Sequence, residues 1–143
     1  MKPVNSVRES SALGGWLLLL CGLLLVWHPI QIGLAASRAL NSLGLGGVPL
    51  VLVMLARLLV AGLGVGAGLA ILGRRVGAIG LATFALVASA AIDLFVYLTP
   101  YFPSNRAPGE TPVFVIVSLT YHAAWLLYLS RSKRVRAIFA EQA

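Results

Sequence analysis

Four long apolar stretches, Leu13–Ala36, Val48–Leu72, Val76–Leu98 and Val113–Ser130, take up most of this chain, and only short polar connectors separate them. At a rise of about 1.5 Å per residue, stretches of about 18 to 25 residues reach across the roughly 30 Å hydrocarbon core of a bilayer. Backbone polar groups in lipid must be satisfied within their own segment, so each stretch is predicted to be a helix. The expected fold is an all-α membrane protein: four transmembrane helices in an up-down bundle, one integral domain, and a basic tail over residues 131–143. Composition agrees. Charged residues make up 10% of the chain and hydrophobic ones 59%, whereas soluble domains carry roughly 25% charge.

The single cysteine, Cys21, lies inside the first apolar stretch. No intrachain disulfide can form, and quinone-linked thiol oxidoreductases, which need cysteine pairs, are disfavoured. The net charge of +7 does not point to nucleic acid, because no folded soluble surface accompanies it. A secretory leader is also disfavoured. Lys2 and Arg8 precede an apolar run, and Gly33-Leu34-Ala35 offers small residues at a cleavage-like spacing. Glu9 weakens the basic start, however, and the run is too long for a leader and is interrupted by His28-Pro29-Ile30-Gln31.

Topology explains the positive charge better. Lys2 and Arg8 precede the first helix, Arg74 and Arg75 separate the second and third, and Arg131, Lys133, Arg134 and Arg136 follow the fourth. In an up-down bundle these segments share one side, while the other side holds only Arg38 and Arg106. The positive-inside rule then places both termini in the cytoplasm. Arg74-Arg75 predicts a tight turn between antiparallel neighbours. On the other side lie a glycine-rich loop, Asn41–Gly47, and a second loop, Thr99–Pro112, in which Pro100, Pro103, Pro108 and Pro112 block helix. Trp16 and Trp27 flank the first helix, and Tyr97 and Tyr101 sit near the end of the third. They read mainly as interfacial anchors.

Two charges fall inside predicted helices, Arg57 in the second and Asp93 in the third. Counted from the Arg74-Arg75 turn, both lie about 16 to 17 residues up, roughly 25 Å from the cytoplasmic end. Opposite charges at matching depth on adjacent helices are expected to pair, because either alone in lipid is costly. The pair either fixes helix register or makes a proton- or ligand-binding carboxylate. Arg57, Ala61, Gly64 and Gly68 share a stripe, and with Gly62 and Gly66 they predict a close-packing helix. Ser89, Asp93 and Tyr97 share a face of the third helix.

His28 is a candidate third member of an Arg57, Asp93, His28 polar cluster. The simpler expectation is that Pro29 kinks the helix near its end and His28 hydrates at the interface. His122 shares a face with Ser118 and Trp125. It is counted roughly 10 Å away in depth from His28, which disfavours a haem held by two axial histidines. No zinc spacing, phosphate loop or nucleophile motif occurs, so no cofactor, metal or catalytic residue is assigned. In the tail, Val135, Ile138 and Phe139 form one helical face against Arg131, Lys133, Arg134 and Arg136. That pattern suits the anionic cytoplasmic leaflet of the bilayer.

Both ends carry motifs. Gly14-Gly15-Trp16-Leu17 opens the first helix, with Pro29 later, and the chain closes on Trp125-Leu126-Leu127-Tyr128-Leu129-Ser130-Arg131-Ser132-Lys133-Arg134-Val135. These resemble the opening and the tryptophan-x-x-tyrosine, serine-lysine-arginine-valine closing signature of the YdgK-like family of small bacterial inner-membrane proteins. They cover about a quarter of the chain, and the middle matches no motif. The resemblance implies a four-helix inner-membrane protein, supplies no catalytic residue, and marks Trp16, Trp125, Tyr128, Ser132 and Arg134 as shared. The leading expectation for function is a non-enzymatic accessory or scaffold subunit, with a homo-oligomer or another membrane protein as partner. The alternative is an oligomeric small transporter or channel subunit using Arg57 and Asp93. An enzyme comes third.

Overall fold

The computed structural model describes residues 13–40, 43–100 and 109–140, the side chains of 43–46 and 140 excepted. Lys2, Arg8, Tyr101, Pro103, Arg106 and Pro108 lie outside the described residues. Helix α1 spans Gly15–Leu40, α2 Leu43–Leu72, α3 Ala78–Leu98, α4 Thr111–Arg131 and α5 Lys133–Ala140. The first four are long and apolar enough to cross a membrane. No strand occurs among the described residues.

The helix ends follow local chemistry. Pro112 sits in the first turn of α4, where its missing N–H is no loss. Thr99 ends α3 in an extended conformation, as a residue before proline favours, and its hydroxyl donates to the Phe95 carbonyl at 2.6 Å. The turn after α2 is tight. The Arg75 N–H donates to the Ala70 carbonyl at 2.8 Å and the Arg74 N–H to the Ile71 carbonyl at 3.0 Å, which closes the helix with paired bonds. Arg74 adopts φ 49° to make this turn, a left-handed conformation that usually calls for glycine.

Two boundaries differ from expectation by more than two residues. The first helix continues past Ala36 to Leu40, because Ser37, Arg38 and Ala39 carry no break signal. The glycine-rich segment expected as loop is helical from Leu43, with a break at Gly47, whose φ of 54° only glycine adopts readily. The membrane-crossing part of α2 is accordingly Gly47–Leu72, with Pro49 tolerated in its first turn.

The irregularity expected at Pro29 takes the form of a π-helical turn just ahead of it. The five residues before His28, Leu23–Trp27, form a π-helical turn, and the His28 N–H bonds to the Leu23 carbonyl. A proline ring crowds the carbonyl four residues back, and widening the preceding turn relieves that crowding without breaking the span.

Packing falls into layers along the bundle. At the end holding the Arg74-Arg75 turn, Leu17, Leu20, Leu24, Ala67, Ile71, Ala82, Leu86, Trp125 and Leu129 form the main apolar core. At the opposite end Ala35, Ala39, Leu50, Val53 and Val96 of α1, α2 and α3 form a smaller one. Between them the space is polar. Helix α3 packs closely on both α2 and α4, and α1 lies along α2, while α1 meets α4 only sparsely.

The glycine stripe of α2 faces α1. A Cβ on Gly68 would lie 2.9 Å from Leu25 Cγ, and one on Gly64 would lie 3.2 Å from His28 Nδ1. Gly62 and Gly66 do not join it, since a Cβ there would meet nothing within 4 Å. The expectation that all four glycines serve close packing is corrected. Residues 62 and 66 lie on another face of the helix from 64 and 68.

The tail is also corrected. Ser132 turns the chain in an extended conformation, and its Oγ accepts the Val135 N–H at 3.3 Å as an N-terminal cap for α5. The helix then folds back on the bundle: Val135 is buried in the main core, and Ile138 and Phe139 pack against it. The apolar face expected to meet the leaflet is covered by the protein's own core. Arg131, Lys133, Arg134 and Arg136 stay exposed.

Candidate functional site

A cavity of about 290 Å³ opens between the four helices, above the main core. Each helix supplies part of its wall: Trp27, His28 and Gln31 from α1, Arg57 and Ala61 from α2, Ser89, Asp93 and Tyr97 from α3, and Phe114, Ser118, Tyr121 and His122 from α4. The π-helical turn contributes to this. One extra residue in a turn rotates everything downstream by about 100°, and His28, the first residue after it, comes to lie over Gly64 of α2.

At its centre Arg57 and Asp93 pair, with Nη2 3.3 Å from Oδ1 and both side chains mostly buried. The pairing expected from matched depth is present. The other carboxylate oxygen, Oδ2, accepts the Ser118 hydroxyl at 3.1 Å, so one aspartate ties α2, α3 and α4 together. Ser118 in turn lies one turn from His122 on α4. The backbone carbonyl of Ser118 accepts the His122 Nδ1–H at 2.8 Å, since a carbonyl can only accept. This bond fixes the tautomer: neutral His122 carries its proton on Nδ1 and presents a lone pair on Nε2.

His28 joins the cavity wall. It is half-buried, with Nδ1 over Gly64, and it lines the same wall as Arg57 and Asp93. The three residues of the expected cluster thus border one cavity. His122, placed by counting at another depth, lines this cavity too and is 4% exposed. The count took each helix as upright and ignored side-chain reach. The wall on α3 runs from Ser89 to Tyr97, about 12 Å along the axis, so residues roughly 10 Å apart in depth can share it. The Ser118, His122, Trp125 periodicity was the available signal, and all three are buried.

Ser89, Asp93 and Tyr97 share the cavity face as their spacing predicts. Trp27 and Tyr97, read as anchors, also form part of its aromatic wall, with Tyr97 tilted against Phe114 at 6.1 Å between centroids. Among the described residues no group of three metal-ligating side chains comes together.

The motif residues of the two chain ends meet at the other end of the bundle. The Arg134 guanidinium lies against Gly14, where a Cβ would sit 3.0 Å from its Nε. Trp16 packs edge-on to Trp125 at 6.4 Å, and Trp125 packs edge-on to Tyr128 at 5.9 Å. Gly15 has open space around it. This cluster secures α5.

Compared with family models, curated proteins and solved structures, the chain matches none.

Proposed function

We propose that this protein is a bacterial inner-membrane protein with both termini in the cytoplasm, related to the YdgK-like family. Its bundle carries a solute-binding site, and it works as a small, non-enzymatic transporter or channel subunit. One observation carries this reading. A purely structural ion pair needs no space around it, whereas Arg57 and Asp93 border a cavity shared by four helices and walled by two histidines, two serines and aromatic rings. Polar groups at membrane depth are costly, and their default reading is functional. Four helices are too few to enclose a spacious pathway, so the transport form is an oligomer. Support for the family assignment comes from its end motifs, whose residues contact one another.

Flux in proteoliposomes tests the proposal, using light-scattering swelling for neutral solutes and a pH-sensitive dye for protons. The wild type should accelerate at least one of them over empty liposomes, and Asp93→Asn should remove most of that gain. Rates equal to empty liposomes for every solute would sink the transport reading. The accessory or scaffold reading would then take its place, and one feature favours it: the open Gly62 and Gly66 face of α2, which a partner helix could approach closely.

A further inference from the structure

Most polar groups around the cavity are occupied with one another. Asp93 accepts from Arg57 on one carboxylate oxygen and from Ser118 on the other. His122 gives its Nδ1–H to the Ser118 carbonyl. Its Nε2 is sealed from the cavity space, as are Nε of Arg57 and the Tyr121 hydroxyl. A second proton on His122 would therefore form an N–H with no acceptor among the described residues.

His28 is placed differently. It lines the cavity, is half-buried, and makes no hydrogen bond among the described residues. Neither of its ring nitrogens is among the sealed atoms, so an unpartnered base faces the open space. Helix α2 builds the seat for this ring. A Cβ on Gly64 would lie 3.2 Å from Nδ1 and 3.5 Å from Cγ, so any larger residue at that position would press on the imidazole.

The groups that surround His28 limit what it can take up. They are Arg57 on α2, Asp93 and Tyr97 on α3, and Tyr121 and His122 on α4. Arg57 is paired with Asp93, so an anion finds no uncompensated cation. Among the described residues no three metal-ligating side chains come together, so a metal ion finds no cage. A proton needs neither. It binds the imidazole lone pair directly, and imidazole is the side chain whose charge ordinarily changes nearest neutral pH. The imidazolium then has a counter-charge in reach, since the Asp93 carboxylate acts on His28 electrostatically. A carboxylate offers about four lone-pair sites, so Asp93 can serve Arg57 and a second cation.

Resting on the transport reading above, we infer that the ion this site handles is the proton, which His28 binds while Asp93 supplies the counter-charge. The step is acid–base exchange alone. The bare ring nitrogen takes a proton from water on one side of the membrane and returns it to water on the other, and no other bond forms or breaks. At rest the Arg57–Asp93 pair is closed on itself, and in the loaded state two cations share one carboxylate.

Two measurements on the full chain in lipid test this. In nanodiscs its two histidines are labelled with nitrogen-15, and carbon-13 on the tryptophan carbonyls singles out His28, which follows Trp27, from His122, which follows Tyr121. Between about pH 9 and pH 4, a span that brackets the ordinary histidine value, His28 should lose its bare-nitrogen resonance and become doubly protonated. It should do so while His122 keeps its bare Nε2. In proteoliposomes with the membrane potential clamped, a pH-sensitive dye should report proton entry faster than in empty vesicles. His28→Gln should remove most of that gain, with the unfolding temperature as the check that the variant is folded. A His28 ring still neutral at the acid end of the titration, or His122 taking the proton first, would overturn the inference. So would proton entry undiminished in folded His28→Gln. Neutral-solute flux without proton flux would overturn it too while leaving the transport reading in place, and absence of all flux would remove both.

Discussion

Asp93 makes two hydrogen-bonded contacts, one with Arg57 on α2 and one with Ser118 on α4, so removing its charge should be felt on both neighbours. Asp93→Asn leaves Arg57 mostly buried without its counter-charge, and Arg57→Gln strands the carboxylate in the same way. Each single change should lower the thermal unfolding temperature, because an uncompensated buried charge costs more than the pair contributes. The double variant should recover part of the loss, with a coupling of about 1 kcal/mol, within the range found for polar contacts in membrane bundles. A thermal-shift cycle in nanodiscs measures this, and strictly additive losses would show that the two side chains do not interact. This pair was legible because the Arg74-Arg75 turn gives both helices a common origin for counting depth. His122 was not, because its depth was counted from the tail and that of His28 from the start of α1. The two origins carry independent errors of helix tilt and side-chain reach.

Helix α2 presents two glycine faces with opposite expectations. At Gly68 a methyl group would lie 2.9 Å from Leu25 Cγ and 3.4 Å from Leu24 Cβ, so Gly68→Ala forces α1 and α2 apart and should cost about 1 to 3 kcal/mol. At Gly66 nothing lies within 4 Å. Gly66→Ala should be neutral or stabilising by up to about 1 kcal/mol, since alanine loses less backbone entropy in a helix. Comparing the two unfolding temperatures checks the packing direction directly, and equal effects would contradict it. At this scale the sequence revealed the existence and order of the helices, since apolar length alone dictates them. The π-helical turn before Pro29 and the fold-back of α5 were out of reach. The first depends on how the turn ahead of a proline adjusts to its ring, which periodicity does not record. The second turns on whether the apolar face of Val135, Ile138 and Phe139 finds protein or lipid, and the pattern on one short helix is the same for both.

For the whole molecule, the uneven distribution of Arg and Lys predicts which side each connector occupies. Reporters fused after Ala143 and within the Arg74-Arg75 turn should read cytoplasmic, and one inserted between Pro103 and Pro108 should read periplasmic. A C-terminus found outside would reverse the orientation. The central claim is independent of orientation: in a bilayer the helices close around one polar site held by the Arg57–Asp93 pair. Asp93 is the chain's one aspartate, so carbon-13 aspartate places a label at this site alone. Rotational-echo NMR in lipid bilayers, with nitrogen-15 on the arginine guanidinium groups, reads the distance between them. The account predicts clear dephasing of the Asp93 carboxylate carbon, as an N···O separation of 3.3 Å requires, and its disappearance in Arg57→Gln. A carboxylate signal with no dephasing in the wild type, or dephasing that survives Arg57→Gln, would contradict it.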